Sequence, residues 1–246
     1  MTALKTENTV NDPGAGAIKF DAEFALEYDR KIQMSCPGYG ALHDTMVCVL
    51  NNQPSPNTFL SVGAGTGAEI LALGKAFPRC HFVAVDPAHA MIDVCRERLT
   101  KAGLTNSVDY FQEKLETYRP ARLADAASAI FVSHFIAGNQ AKQAFFAQLA
   151  SCITLGGTLL IGDLIGDPRS PNFKMLFDWW IARLAAEGIE GSDLARARAQ
   201  EHEFPWIGET QYLDIVEQAG FSRPVRFFQS LLWGGWVAKR RELPND

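Results

Sequence analysis

The chain has 246 residues, of which 47% are hydrophobic and 21% charged, and its formal net charge at pH 7 is -5. This composition is typical of a globular protein and predicts one domain over residues 18–246, preceded by a disordered polar tail over residues 1–17. The negative charge argues against direct nucleic-acid binding, and no apolar run is long enough to cross a membrane. The five cysteines lack metal-ligand spacing. We therefore expect no metal site, reduced thiols and a cytoplasmic protein.

Two helices are predicted first, over residues 20–32 and 39–50, and the segment Cys36-Pro37-Gly38 separates them. In the first helix aromatic and apolar residues recur every four positions, which places them on one face. Tyr28 belongs to this face and is expected to be a core aromatic.

A glycine-rich turn organises the rest of the chain. An apolar strand over residues 59–63 meets glycines at positions 63, 65 and 67, and a helical pattern over residues 67–76 follows. The spacing predicts a buried strand, a tight turn and a helix N-terminus that faces a ligand. It is G-x-G-x-G, so the dinucleotide fingerprint is not matched. The next strand, over residues 81–86, ends in Asp86, about twenty residues on, where such folds bind ribose hydroxyls.

Strands and helices alternate through the remaining chain. The predicted elements are a helix over 88–102, strands over 108–111 and 126–132, a helix over 140–153, a turn at Gly156-Gly157, a strand over 158–162, inserted helices over 172–187 and 192–203, a helix over 210–219, and an antiparallel pair over 225–232 and 235–239. Ligands bind at the carboxyl ends of strands in such sheets. His134 and Asn139, after the fourth strand, are therefore catalytic candidates. His134 is either a general base or a structural histidine.

Several motifs resemble class I S-adenosylmethionine (SAM) dependent methyltransferases: Val62-Gly63-Ala64-Gly65-Thr66-Gly67, Ala84-Val85-Asp86 and Leu155-Gly156-Gly157. Shorter pieces are similar to the carboxy-SAM synthase branch, which prepares a cofactor for tRNA wobble-uridine modification: Phe20-Asp21, Cys36-Pro37-Gly38-Tyr39, Ala90-Met91-Ile92 and Phe228-Gln229. The likeness runs from about residue 20 to about residue 239. It implies a doubly wound, mostly parallel, seven-stranded Rossmann-like sheet with an N-terminal helical lid and a helical insertion. SAM, as methyl donor or substrate, a small-molecule substrate and a homodimer are further expectations.

The resemblance also implies roles for individual residues. Asp86 would accept hydrogen bonds from the ribose hydroxyls, and its removal is expected to spare the fold. Tyr39 would contact the cofactor and help catalysis. The remaining cofactor-binding candidates are Gly63, Ala64 and Gly65 at the methionine end, with Gly67, Pro87, Leu115 and Ser133. Lys114 stands where relatives often carry an acid, and a lysine cannot accept a hydrogen bond from the adenine amino group. Backbone or another side chain must do so.

Three further features bear on the reaction. Ser61 stands where the superfamily usually has an acid that holds the methionine ammonium. Without that acid the ammonium loses its proton more easily and becomes a free amine, unless water or another acid takes the same role. Arg196 and Arg198 flank, but do not match, the arginine that the carboxy-SAM branch uses for its added carboxylate. Aromatic residues are dense, and one or two are expected to contact the sulfonium by cation–π attraction: Phe173, Phe177, Trp179, Trp180, Trp206, Trp233 and Trp236.

Four functions remain open on the sequence. Methyl transfer from SAM to a small molecule is the first interpretation, because it needs mainly proximity and in-line geometry. The second is intramolecular cyclisation of SAM to azetidine-2-carboxylate with release of methylthioadenosine. Such cyclases resemble this branch, and Ser61 with an aromatic pocket suits them. The third is carboxy-SAM synthesis, and the fourth is a SAM-binding regulatory or partner protein without catalysis.

Overall fold

A computed structural model of the chain describes residues 9–12, 16–19 and 21–242. Two short strands, Thr9–Asp12 (β1) and Gly16–Lys19 (β2), pair with each other. The remaining strands are Thr58–Val62 (β3), His81–Val85 (β4), Val108–Phe111 (β5), Ala124–Ile130 (β6), Ile153–Leu164 (β7), Val225–Ser230 (β8) and Trp233–Lys239 (β9). They form one sheet in the order β5-β4-β3-β6-β7-β9-β8, in which β9 alone runs in the direction opposite to the other six strands. The predicted seven-stranded, mostly parallel sheet is confirmed.

The tail that the sequence predicts to be disordered, residues 1–17, differs in its described part. There, β1 and β2 pair in antiparallel register, with Thr9 opposite Lys19 and Asp12 opposite Gly16. β1 lies next to a 3-10 turn at Ser133–Phe135. Residues 1–8 and 13–15 of the predicted tail lie outside the described residues.

The helices agree with the predicted ones to within a few residues. They are Ala22–Ser35 (α1), Tyr39–Asn51 (α2), Ala68–Ala76 (α3), His89–Lys101 (α4), Asn139–Ser151 (α5), Phe173–Ala186 (α6), Gly191–Glu203 (α7) and Glu209–Gln218 (α8). The first begins after Asp21, whose carboxylate accepts a hydrogen bond from the Phe24 N–H at 2.9 Å. This side chain satisfies one of the amides that the first turn leaves free. Phe20, the predicted start of this helix, lies outside the described residues.

The central strand β3 is buried along its whole length. Its side chains alternate between two apolar clusters, so that Phe59 packs on one face of the sheet and Leu60 on the other. Both faces of the sheet are therefore covered, as in other doubly wound folds. β3 ends at Val62, and the next residue, Gly63, begins the glycine-rich turn with a φ of 64°.

Two strand boundaries differ from the predicted ones. The turn expected at Gly156-Gly157 lies inside β7, because the backbone there pairs with Arg240: Gly156 donates to its carbonyl and Gly157 accepts from its amide, each at 2.9 Å. The strand predicted to reach residue 132 ends at Ile130. The next residue, Phe131, has a φ of 59°, a left-handed conformation that is strained for a bulky side chain and incompatible with a continuing strand.

The N-terminal helix α1 lies over the carboxyl end of the sheet and is attached at two places. Near its middle, Asp29 accepts hydrogen bonds from Thr66 at 2.6 Å and from Arg98 at 2.7 Å. At its end, the Ser35 carbonyl accepts the indole N–H groups of Trp180 at 2.7 Å and of Trp233 at 2.9 Å. The predicted lid is therefore joined to the glycine-rich turn, to α4, to the inserted helix α6 and to β9.

Candidate cofactor site and active site

A cavity of about 400 Å³ opens at the carboxyl ends of β3, β4 and β6. This is the edge at which doubly wound sheets bind ligands, and the volume lies in the range of small-molecule sites. Five of the predicted cofactor-binding residues line it: Gly63, Gly65, Asp86, Pro87 and Leu115. The structure therefore brings together the residues expected at the adenosine and the backbone turn expected at the methionine end.

The glycine-rich turn leaves no room for side chains at two of its positions. Gly63 has a φ of 64°, and a Cβ there would lie 2.4 Å from Val132 Cγ2. Gly67 has a φ of 76°, and a Cβ there would lie 2.5 Å from Cys95 Sγ. Ala64 is buried below the turn, and its N–H bonds to the Val85 carbonyl at 3.2 Å. Ala64 and Gly67 thus shape the turn, and neither lines the cavity.

Asp86 is bound to the backbone on both of its carboxylate oxygens. Oδ2 accepts from the Gly65 N–H at 2.9 Å, and Oδ1 accepts from the Ala88 N–H at 2.8 Å. Burial raises the pKa of Asp86 to about 6, and the two backbone hydrogen bonds oppose that shift. A carboxylate fixed in this way still has lone pairs for a diol, so it suits a ribose. Its burial overturns the expectation that its removal spares the fold.

The far end of the cavity supplies the acceptors that Lys114 cannot offer. Leu115 is buried and presents an apolar wall, as expected for a residue that covers a flat ring. Lys114 lines the cavity between two acids, Glu113 and Glu116. Either carboxylate can accept a hydrogen bond from an amino group. The sequence showed that Lys114 cannot accept this hydrogen bond, but it did not identify Glu113 and Glu116 as the acceptors that could replace it.

Ser61 and Glu69 form a buried pair behind the glycine-rich turn. Ser61 Oγ donates to Glu69 Oε1 at 2.7 Å, and the two residues are 0% and 4% exposed. Burial raises the pKa of Glu69 to about 7, and the Ser61 hydrogen bond opposes that shift. An acid is therefore present at this end of the site, eight residues after the position where the sequence lacks one. It comes from the first turn of α3.

The two tyrosines of the lid exchange their expected places. Tyr28, expected in the core, is half-buried and lines the cavity. Tyr39, expected to contact the cofactor, is buried and does not line the cavity. Its ring packs edge-on against His43, with centroids 4.5 Å apart, and lies 5.9 Å from Phe131. Phe131 is part of the cavity wall, so Tyr39 supports that wall from behind.

His134 forms a buried pair with Asp163, the second-last residue of β7. His134 Nδ1 lies 2.6 Å from Asp163 Oδ1, and the side chains are 10% and 2% exposed. Burial by itself would raise the pKa of Asp163, but the charge and hydrogen bond of His134 hold it below its usual value. Since the carboxylate accepts the Nδ1 proton, Nε2 is left as the basic nitrogen. The His134 ring lies 4.1 Å from that of Phe135, which lines the cavity.

The turn that carries this histidine is held by Ser133, which the sequence assigned to the cofactor, and by Tyr212 and Lys142, which the sequence did not identify. Ser133 donates to Asp163 Oδ2, and Tyr212 donates to the same oxygen at 3.3 Å. Lys142 is buried and donates to the carbonyl groups of Ser133 and Ile136. Burial lowers the pKa of Lys142. Ser133 therefore fixes Asp163 and does not line the cofactor cavity.

Asn139 is not brought to the site. It is the first residue of α5, is exposed, and does not line the cavity. The cause is Gly138, whose φ of 81° turns the chain away after the 3-10 turn. The prediction rested on the position of Asn139 after the fourth strand, and that position does not bring its side chain to the cavity.

The predicted aromatic residues divide between the core and a second cavity. Phe177 and Trp180 are buried, and Trp179 is 53% exposed. A cavity of about 380 Å³ beside β7, β8 and β9 is lined by Phe173, Trp233 and Trp236, among others. The Trp233 ring lies 4.5 Å from that of Phe131, so this ring pair separates the second cavity from the cofactor cavity. None of the seven predicted aromatics lines the cofactor cavity; Phe131, Phe135 and Phe145 do.

Two kinds of feature are absent from the described residues, 9–12, 16–19 and 21–242. No group of three or more histidine, cysteine, aspartate or glutamate side chains there is arranged to hold a metal ion. No helix in that part of the chain is long and apolar enough to cross a membrane.

Residues 60–159 match a family model described as a methyltransferase domain. The chain is similar to carboxy-SAM synthases: 25% identical over 224 residues to that of Dichelobacter nodosus, covering 90% of this chain and 92% of the relative, and 27% identical over 227 residues to that of Stutzerimonas stutzeri, covering 89% and 91%.

Among solved structures, human N-acetylserotonin methyltransferase in complex with SAM superposes with a TM-score of 0.62 at 13% identity. The alignment covers 90% of this chain and 57% of that one, and it supports the fold alone. The sheet order and the glycine-rich turn, with the match over residues 60–159 and the full-length relatives, make the chain similar to SAM-dependent enzymes of the class I methyltransferase fold.

Proposed function

We propose that this enzyme transfers the methyl group of SAM to a small molecule and that His134 removes the proton of the acceptor. The observation that carries the proposal is the His134–Asp163 pair at the carboxyl edge of the sheet. An imidazole whose Nδ1–H is held by a buried carboxylate presents Nε2 for proton transfer. Its ring lies 4.1 Å from that of Phe135, which lines the cofactor cavity.

The cofactor cavity has groups for each part of SAM that it must hold. Asp86 faces the ribose hydroxyls, Leu115 covers the adenine, and Glu113 or Glu116 accepts from its amino group. The turn at Gly63 and Gly65 gives the methionine end a close approach to the backbone. SAM supplies an electrophilic methyl group on sulfur. The protein supplies orientation, exclusion of water and a base, which suffices for transfer to a hydroxyl or amine.

Cyclisation of SAM is a second candidate, and the observation that favours it is the neutral Ser61 at the end of β3. In that reaction the amine nitrogen bonds to the side-chain carbon next to sulfur, the carbon–sulfur bond breaks, and methylthioadenosine leaves. The proton of the original ammonium passes to a base. The full-length similarity to enzymes named for a modified SAM supports treating SAM itself as substrate.

Carboxy-SAM synthesis has less support from the residues. Arg196 and Arg198 are both exposed on α7, and neither lines the cofactor cavity. The cavity lining therefore holds neither of the arginines that could pair with an added carboxylate.

One labelling experiment separates the two leading candidates. The protein is incubated with methyl-labelled SAM, first alone and then with a low-mass bacterial metabolite extract, and the products are identified by mass spectrometry. Methyl transfer predicts S-adenosylhomocysteine and a labelled metabolite only when the extract is present. Cyclisation predicts labelled methylthioadenosine and azetidine-2-carboxylate from SAM alone. Binding of SAM without turnover under both conditions would contradict both and favour a regulatory protein.

A further inference from the structure

The buried carboxylate of Asp163 accepts more hydrogen bonds than its pairing with a histidine requires. One oxygen, Oδ1, accepts from Nδ1 of His134 and from the Leu164 N–H at 2.9 Å. The other oxygen, Oδ2, accepts from the hydroxyl of Ser133 and, at 3.3 Å, from the hydroxyl of Tyr212. The negative charge is therefore shared among several donors, and His134 is only one of them.

Tyr212 reaches this carboxylate from α8, a distant part of the chain. It is buried, and its ring packs against those of Phe146 and Trp236, with centroids 5.9 Å and 5.5 Å away. This packing directs the hydroxyl at Asp163. Burial raises the pKa of Tyr212 well above its usual value, so the hydroxyl keeps its proton and remains a donor at neutral pH.

The other charged and titratable groups around Asp163 come from three elements. His134 lies on the 3-10 turn, and Lys142 of α5 places a buried positive charge near the carboxylate. Lys142 itself donates to the carbonyl groups of Ser133 and Ile136, at the two ends of the same turn. From β9, the residue opposite Asp163 is Gly234, which adds no charge.

Sharing the charge of Asp163 has a consequence for His134. A buried carboxylate that faces an imidazole stabilises the imidazolium, in which both ring nitrogens carry protons and neither can accept another. Each further donor to the carboxylate reduces this stabilisation, because it competes for the same negative charge. The imidazole then stays neutral to lower pH, with Nδ1–H bound to Asp163 and Nε2 free to accept a proton.

We propose that Tyr212, together with Ser133, is a positioning residue that acts through Asp163 and keeps His134 in its neutral, proton-accepting form. This inference rests on the proposed function, because it takes His134 as the base. In the reaction Nε2 accepts the proton of the acceptor, and the imidazolium then returns that proton to solvent. The two hydroxyls would therefore set the lower pH limit of the enzyme.

A nuclear magnetic resonance titration tests the proposal without an acceptor. The full chain is labelled with carbon-13 in its histidine rings, and the His134 signal is the one that His134→Gln removes. We expect Tyr212→Phe to move the midpoint of the His134 titration to higher pH by about 0.5–1 unit, because the ionised carboxylate loses a donor. Ser133→Ala removes the other hydroxyl from Oδ2 and should move the midpoint in the same direction.

A matched control is Tyr118→Phe. Tyr118 is also buried, but its ring packs against that of Phe111 in β5, a strand at one edge of the sheet. This variant loses a hydroxyl from a buried tyrosine and should leave the His134 midpoint unchanged.

The pH dependence of kcat gives a second measurement, with the acceptor that the labelling experiment identifies. In Tyr212→Phe the acidic limb should move to higher pH, so that the rate below the limb falls by about 3–10-fold and the rate above it is retained. A merely structural tyrosine would lower the rate at every pH. In the His134→Gln background Tyr212→Phe should change kcat by less than about twofold, since the residue through which it acts is gone.

The outcomes separate this inference from the proposed function. An unmoved midpoint in Tyr212→Phe, or a variant that circular dichroism shows to be unfolded, would make Tyr212 structural and overturn the inference, whatever the fate of the base. A midpoint that moves while His134→Gln keeps its full kcat would show that the coupling exists and that His134 is not the base. A moved midpoint together with a moved acidic limb supports both.

Discussion

Asp86 is both a wall of the cofactor cavity and a buried acceptor for the N–H groups of Gly65 and Ala88. We expect Asp86→Ala to abolish SAM binding and also to lower the free energy of unfolding by about 1–3 kcal/mol, since it leaves buried donors unpaired. Asp86→Asn keeps one acceptor oxygen and should recover part of the stability without the affinity. Thermal denaturation and calorimetry with S-adenosylhomocysteine check both statements. Unchanged affinity in Asp86→Asn would contradict the ribose assignment.

His134 does not line the cofactor cavity, so its role in chemistry can be separated from binding. We expect His134→Gln to lower kcat for methyl transfer by about 10²–10⁴-fold, the usual contribution of a general base, with an unchanged Kd for S-adenosylhomocysteine. Kinetics with methyl-labelled SAM and calorimetry give the two numbers. The matched change at an exposed histidine of α4, His89→Gln, should affect neither. Equal losses in kcat and affinity would show that His134 is structural.

At the scale of residues, the sequence predicted the groups that a local motif defines. Asp86 and Gly63 follow from the strand–turn–helix pattern, and both line the cavity at the carboxyl edge of the sheet. Glu69 and Asp163 were missed, because each reaches its partner from another element: Glu69 meets Ser61 across the turn, and Asp163 meets His134 from the neighbouring strand. The sequence did contain a weak signal for Glu69. This glutamate stands in the first turn of α3, directly after β3, and β3 carries Ser61 in place of the usual acid.

At the scale of elements, the glycine-rich turn offers a direct test of close packing. Gly67→Ala introduces a Cβ 2.5 Å from Cys95 Sγ at φ 76° and ψ 27°, whereas Gly38→Ala introduces one at φ 80° and ψ 22° whose nearest atom, in Phe228, is 3.6 Å away. Both glycines are left-handed and precede a helix, so the backbone strain is similar and the difference isolates the contact. We expect Gly67→Ala to be less stable than Gly38→Ala by about 1–3 kcal/mol. Chemical denaturation measures this difference, and equal stabilities would contradict a rigid contact.

Elements with strong periodicity were predicted well, and their ends were not. The helix and strand around the glycine-rich turn agree to within one or two residues, because burial and glycine mark both ends. The start of β7 was missed because Gly156 and Gly157 read as a turn, whereas their backbone pairs with Arg240, 83 residues beyond Gly157. The end of β6 depends on the left-handed conformation of Phe131, for which an aromatic residue gives no sequence signal.

At the scale of the molecule, the buried acids make stability depend on pH. The pKa of Glu69 is raised from 4.5 to about 7, so the folded state binds more protons than the unfolded state between these values. Its destabilising effect is absent below pH 4.5, grows as the pH rises to about 7, and is constant above. At 1.36 kcal/mol per unit, it reaches at most about 3 kcal/mol. Asp86 acts in the same direction between pH 3.8 and about 6.

Comparison with Glu69→Gln isolates this effect. Burial lowers the pKa of His43, so below pH 6.5 this residue makes stability increase with pH, opposite to the effect of Glu69. His43 contributes equally in both proteins, and its effect cancels in the comparison. We expect the stability gain of Glu69→Gln over the unchanged protein to increase from pH 5 to pH 7 without ligand. Denaturant unfolding across this range measures it. A gain independent of pH would show that Glu69 titrates as in the unfolded chain.

One carbonyl oxygen has a consequence for the whole enzyme. Because Ser35 accepts both indole N–H groups, the last turn of α1 is a pivot that belongs to the aromatic core. The middle of the helix is held through Asp29, which accepts hydrogen bonds from Thr66 and from Arg98, whose side chain is 29% exposed. We expect α1 to hinge at Ser35 when these contacts open. The Asp29–Arg98 ion pair weakens as salt is added. Ionic strength would then govern how fast the cofactor is exchanged, while the pivot and the core remain unchanged.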